Sequence, residues 1–84
     1  MAESPNGFKI LGPVSRVEVI AGGRGVKIID FLRDTYGGSR WRKLKGIALI
    51  EDDYGWTGNA EIHWFEAHGV GRVRWKIKRK LDGQ

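Results

Sequence analysis

Hydrophobic and polar residues alternate with a period of two through most of this chain, and the period lengthens only once. The clearest stretch is Ala60 to Lys80, where two alternating runs are joined by a short glycine-bearing turn; this predicts a β-hairpin. In its first run Ile62 and Trp64 fall on one face, with Glu61, His63 and Phe65 on the other. In the second run Val73, Trp75 and Ile77 oppose Arg72, Arg74, Lys76 and Lys78. Upstream, Ser15 to Ala21 is β-branched and alternating, with Val17 and Val19 inward, and predicts a first strand. Val26, Ile28, Ile29, Leu32 and Tyr36 then recur at helical spacing, which predicts a helix from about residue 24 to 36, stopped by Gly37-Gly38. Leu44 to Glu51 predicts a second strand with Ile47 and Leu49 inward, leaving Gly46, Ala48 and Ile50 to form a shallow trough on its other face. Asp52 to Asn59 is dense in turn formers and predicts a loop with Tyr54 and Trp56 at its tip.

The predicted order is β-α-β-β-β. Short loops between sequential strands favour antiparallel pairing, so the expected fold is α+β: an antiparallel sheet with one helix packed on one face. The last three strands form a meander and the first strand lies at an edge. Residues 1–13, marked by Pro5, Asn6-Gly7 and Gly12-Pro13, are expected to be a flexible arm, with Phe8, Ile10 and Leu11 covering one edge of the core. Residues 14–81 form the single domain. Its expected core is Val17, Val19, Ile28, Ile29, Leu32, Ile47, Leu49, Ile62, Trp64, Val73, Trp75 and Ile77.

A chain of 84 residues has room for one small core, and four Trp, three Phe and two Tyr supply large buried areas per residue. The absence of cysteine excludes disulfides, cysteine-bearing zinc sites and thiol nucleophiles. No apolar run is long enough to span a bilayer, and MAESPNGF lacks the basic-then-apolar pattern of a signal peptide, so the reading is of a soluble cytoplasmic protein.

The net charge of +5 is unevenly placed. Residues 40–45 hold Arg40, Arg42, Lys43 and Lys45, and residues 72–80 hold six cations, both without an acid. Residues 46–71 hold Glu51, Asp52, Asp53, Glu61 and Glu66 without Lys or Arg. Two basic blocks around an acidic one predict a polarised surface suited to steering an anion. The candidate partner is RNA or other single-stranded nucleic acid, held by Arg40, Arg42, Lys43, Lys45, Arg72 and Lys78 together with Arg74 and Lys76. An acidic inhibitor protein fits the same cations. Trp41, Tyr54, Trp56 and Phe65 fit two readings, as platforms for stacked bases or as core. His63 and Glu61, two apart on one strand face, fit acid-base work on either side of one phosphate, with Arg74 and Lys76 stabilising the transition state. The alternative for His63 is a surface or packing residue. His68 falls in the hairpin turn. Gly22-Gly23-Arg24-Gly25 fits either a turn or an anion cradle, without the lysine and hydroxyl of a nucleotide-binding loop. Two histidines with no helical i, i+4 partner and no carboxylate cluster predict neither a metal site nor a cofactor.

The element order, the size, the basic last strand and the polar groups on an open sheet resemble the compact ribonuclease toxins of bacteria, the barnase and RelE kind. The string Trp41-Arg-Lys-Leu-Lys-Gly46, followed by Ala60-Glu-Ile-His-Trp-Phe65 and Lys76-Ile-Lys78, is similar to a pattern in C-terminal segments of bacterial toxin-like or prophage proteins. The similarity covers roughly residues 15–80, and one helix is predicted here where the RelE group commonly shows two. The resemblance implies metal-independent RNA cleavage, in which a base takes the ribose 2′-hydroxyl proton, an acid protonates the leaving oxygen and cations hold the phosphate.

Overall fold

The computed structural model describes residues 3–83. Five strands and one α-helix follow in the order β1 (Phe8–Ile10), β2 (Ser15–Gly22), α1 (Ile29–Tyr36), β3 (Ser39–Asp52), β4 (Thr57–His68) and β5 (Gly71–Gly83). Every pairing is antiparallel. β3, β4 and β5 make the expected meander. β2 and β1 lie end to end along the remaining edge of β3, β2 against Arg42 to Ile47 and β1 against Ile50 to Asp52. The fold is therefore the α+β arrangement that the alternation predicts, with one strand more.

The added strand falls within the expected arm. Phe8 is buried and Lys9 pairs with Glu51, so residues 8–10 belong to the sheet, while Met1 and Ala2 lie outside the described residues. The turn at 53–56 is shaped by Asp52, whose Oδ1 accepts the backbone N–H groups of Tyr54 and Trp56, both at 2.9 Å. That Asx-type turn lets β4 start at Thr57. The helix is shorter than predicted: Gly23–Gly25 forms a 3-10 turn and α1 begins only at Ile29. Its end is the predicted one, with Gly37 at φ 73 and its N–H bonded to the Arg33 carbonyl at 2.8 Å.

Side-chain alternation gives the sheet two faces, and each carries a core. On the first, Leu44, Ala48 and Ile50 of β3 meet Ala60, Ile62 and Trp64 of β4, with Phe8 closing the edge and Val14, Trp75 and Ile77 around them. On the second, Trp41, Ala67, Val70 and Val73 are covered by Leu32 and Val26, with Ile29, Tyr36 and Phe65 at the margin. α1 packs on this second face.

Of the expected core, Leu32, Ile62, Trp64 and Val73 are buried, and Ile29, Ile47, Trp75 and Ile77 are half-buried. Val17, Val19, Ile28 and Leu49 are exposed, which corrects the reading in three places: Ile28 lies just before the shortened helix, and the other two are strands. β3 buries the face with the small residues: the Trp64 ring and Val14 occupy the trough over Gly46, so Ile47 and Leu49 turn away from that core. β2 is an edge strand whose pairing shifts register twice, and it leaves Val17, Val19 and Ile20 solvent-exposed.

Two substitutions test this core. A methyl group at Gly46 would lie 2.6 Å from Val14 Cγ1, 3.0 Å from the Ser15 carbonyl oxygen and 3.2 Å from the Trp64 ring. Gly46→Ala is expected to destabilise by about 1–3 kcal/mol. Trp64→Ala is expected to cost about 3–5 kcal/mol, whereas Val19→Ser at the exposed edge changes stability by less than about 0.5 kcal/mol. Urea denaturation of the three variants checks the ranking.

Candidate nucleic-acid interface and active site

His63 and Glu61 project from β4 onto the second face, beside the ground covered by α1. Their side chains touch: His63 Nε2 lies 2.8 Å from Glu61 Oε2, and both side chains are largely buried. The other carboxylate oxygen accepts Arg79 at 3.0 Å from β5. The hydrogen bond from His63 is the main influence holding the Glu61 carboxyl below its usual range, and the charge of Arg79 adds to it against the opposing effect of burial. An ionised Glu61 fixes the proton on Nε2, so in the neutral ring Nδ1 carries the free lone pair. The two groups are thus one unit in which Glu61 orients His63. The spacing that suggested two groups on either side of a phosphate places them against each other.

Register brings the cations around this pair. Lys45 of β3 and Lys76 of β5 sit directly across from His63, and Lys43 across from Phe65. Lys43, His63, Phe65, Arg74, Lys76 and Lys78 line one cleft of about 230 Å³. Lys43 Nζ stands 5.8 Å from the centre of the Phe65 ring, and Arg74 stacks 5.0 Å over Phe31 of α1. Lys45 pairs with Glu18 at 3.3 Å.

Three of the sequence-predicted cations lie elsewhere. Arg42 and Arg72 both reach Glu66, which shares the face of Trp64, and Arg72 also stacks 5.0 Å over the Trp64 ring. Burial works against ionisation of Glu66, but hydrogen bonds from Trp64 and Arg42 and the charges of both arginines outweigh it and keep its pKa low. Arg40 lines a separate hollow with Gly23, Trp41 and His68. Of the four aromatics, Trp41 is core and donates its Nε1–H to the Gly37 carbonyl at 2.9 Å, Trp56 packs against the first core under Lys80, and Tyr54 is exposed at the turn. Only Phe65 lies in the cleft. Gly23–Gly25 is separated from α1 by Val26 to Ile28, so it does not form the start of that helix.

Arg74 owes its place to a β-bulge. Between the pairs Phe65↔Val73 and His63↔Lys76, β5 carries one residue more than β4, and Arg74 adopts φ 60. Among the described residues Arg16 (φ 53) and Arg40 (φ 56) are the other non-glycine residues with left-handed backbone, and each also lies at a register shift. Such a conformation costs about 1–3 kcal/mol for a residue with a Cβ. At Arg74 the bulge frees an N–H from the ladder, and Glu3 accepts it at 3.0 Å. Glu3 is a residue that the alternation pattern does not single out. Its second carboxylate oxygen accepts the Tyr36 hydroxyl at 2.8 Å, its carbonyl accepts Trp75 Nε1–H at 2.8 Å, and its own N–H donates to the Arg72 carbonyl at 2.8 Å. One residue therefore ties the start of the described chain to β5 and α1. The Arg74 N–H, followed by the Tyr36 hydroxyl, holds the Glu3 carboxyl below its ordinary value, while burial and then the Glu3 bond push Tyr36 up.

Among the described residues no group of three His, Asp or Glu side chains is placed to hold a metal, and no helix is long and apolar enough to cross a membrane. No family model, curated protein or solved structure matches the chain.

The Glu3 clasp has a definite pH signature. A carboxyl whose folded pKa is depressed adds stability above its unfolded value, about 4.3 for glutamate, and loses it as pH falls through the folded value. Tyr36 has the opposite sign, its contribution being lost as pH rises through its raised value. Thermal melts are expected to peak near neutrality and fall towards pH 3. Glu3→Gln lowers the melting temperature at pH 7 and reduces the drop between pH 5 and 3. An acid limb as steep as in the wild type would assign that limb wholly to Glu61, Asp52 and Glu66.

Proposed function

We propose that the protein binds RNA across the second face of its sheet and cleaves it without a metal ion, His63 acting as the general base. The observation that carries this reading is His63, bonded to Glu61, lining a cleft together with Lys43, Arg74, Lys76 and Lys78. A histidine oriented by a carboxylate, with one ring nitrogen left free, is built for proton transfer. Four cations around it supply what a phosphodiester requires, both for binding and for the charge that grows on its oxygens during attack.

In the proposed step Nδ1 of His63 takes the proton of a ribose 2′-hydroxyl. The 2′-oxygen bonds to the neighbouring phosphorus, the bond from phosphorus to the 5′-oxygen breaks, and that oxygen takes a proton from the Lys76 ammonium. The products are a 2′,3′-cyclic phosphate and a free 5′-hydroxyl. His63 returns its proton to solvent and Lys76 regains one. DNA lacks the 2′-hydroxyl and is bound but not cut. This reading agrees with the resemblance to small bacterial ribonuclease toxins.

The test compares wild type, His63→Ala and Arg74→Ala on an RNA oligonucleotide and its DNA counterpart, with a chelator present. Expected is cleavage of RNA alone, reduced about 100- to 10,000-fold in His63→Ala with affinity largely retained. Arg74→Ala is expected to weaken binding and lower the salt slope of the affinity by about 0.7. RNA that is bound but stays intact with wild-type protein would leave a non-catalytic binding module. Failure to bind any oligonucleotide at low salt would favour an acidic protein as the partner of this face.

A further inference from the structure

Next to the His63 cleft lies a larger hollow, of about 740 Å³, that the proposed chemistry does not use. The segment from Glu3 to Asn6 forms one wall, and Ile28, just before α1, contributes to another. Phe65, Arg74 and Lys76 line both hollows, so the two are neighbours with these three residues between them. The smaller hollow is cationic and is lined by His63. The larger one offers the Phe65 ring, the exposed Ile28 side chain and the polar groups of Ser4 and Asn6.

A nucleotide has the same division, a phosphate joined through one sugar to a flat, apolar-faced base with a hydrogen-bonding edge. Aromatic rings bind such faces by stacking, and polar side chains read such edges. The volume lies within the range of small-ligand clefts. The wall is also fixed in place: Glu3 anchors the segment by four hydrogen bonds to β5 and α1, including the one to the bulged N–H of Arg74.

We infer that this second hollow is a nucleobase pocket, in which Phe65 stacks the base of the nucleotide whose phosphate lies at His63 and Ser4 and Asn6 meet its edge. The inference rests on the RNA-binding reading above. Glu3 then acts as a positioning residue, holding the pocket wall and Arg74 in register with the cleft.

The experiment measures binding of a labelled RNA pentamer at low salt, beside a series in which each base in turn is removed to leave an abasic sugar. For wild type, one position is expected to show a loss of affinity of about 10-fold or more, the size of a lost stacking contact. Ile28→Trp places an indole in the hollow from an exposed position, and is expected to bind the intact pentamer as weakly as wild type binds the abasic one. Asn6→Ala is expected to weaken the intact pentamer and leave the abasic one unchanged. If wild type binds the pentamer but no abasic position matters, or if Ile28→Trp keeps the full abasic penalty, the hollow holds no base and RNA binding stands without it. If wild type binds no pentamer at all, the RNA reading itself falls and the pocket with it.

Discussion

The single extra residue in β5 opposite Trp64 governs how this small sheet is used. Before the bulge Val73 faces the second core and Arg72 the first face; after it Trp75 and Ile77 face the first core and Lys76 the second face. Without that shift strict alternation would send Lys76 to the face opposite Val73, away from His63. Instead, the bulge packs Trp75 at 5.0 Å from Trp64 and also sets Lys76 beside the imidazole. The backbone conformation that this demands of Arg74 is costly for any residue with a Cβ. The Glu3 carboxylate offsets part of that cost by accepting the amide that the ladder leaves unpaired.

The fold class was legible because the alternation is strong where pairing is long. β4 and the meander follow from residues 60–80 alone, and the helix stop from Gly37-Gly38. Faces were harder to read. A hydrophobic pattern of period two continues unbroken from Val73 to Ile77, although the strand turns over between them, since a bulge leaves no mark on the residue types when an arginine occupies the left-handed position usually given to glycine. In β3 the bulkier face was the wrong one, because the buried volume is supplied from outside the strand by Trp64 and Val14.

The candidate site shows the same division. His63, Glu61, Lys76 and Arg74 were legible as neighbours from their spacing on two paired strands. That Glu61 contacts His63 directly was not, since side-chain conformation is set by Arg79 and the neighbouring strands. Arg42 and Arg72 were read as part of one basic patch because charge runs are visible in sequence while their counter-ion, Glu66, lies 24 residues from Arg42. Glu3 had no signal at all: its partners are more than 30 residues away, and a lone glutamate in a polar segment looks like any solvated side chain.

β2 remains as a strand with one neighbour. Eight residues long, it leaves an outer row of backbone groups unclaimed beside the exposed Val17, Val19 and Ile20. An open edge of that composition is a template for strand addition between copies and hence for self-association. The two register shifts, with Arg16 in left-handed conformation at the first, break that row into short pieces that no regular strand can follow. The irregularity that keeps β2 out of the core thereby also makes this edge a poor template for a strand of a second copy.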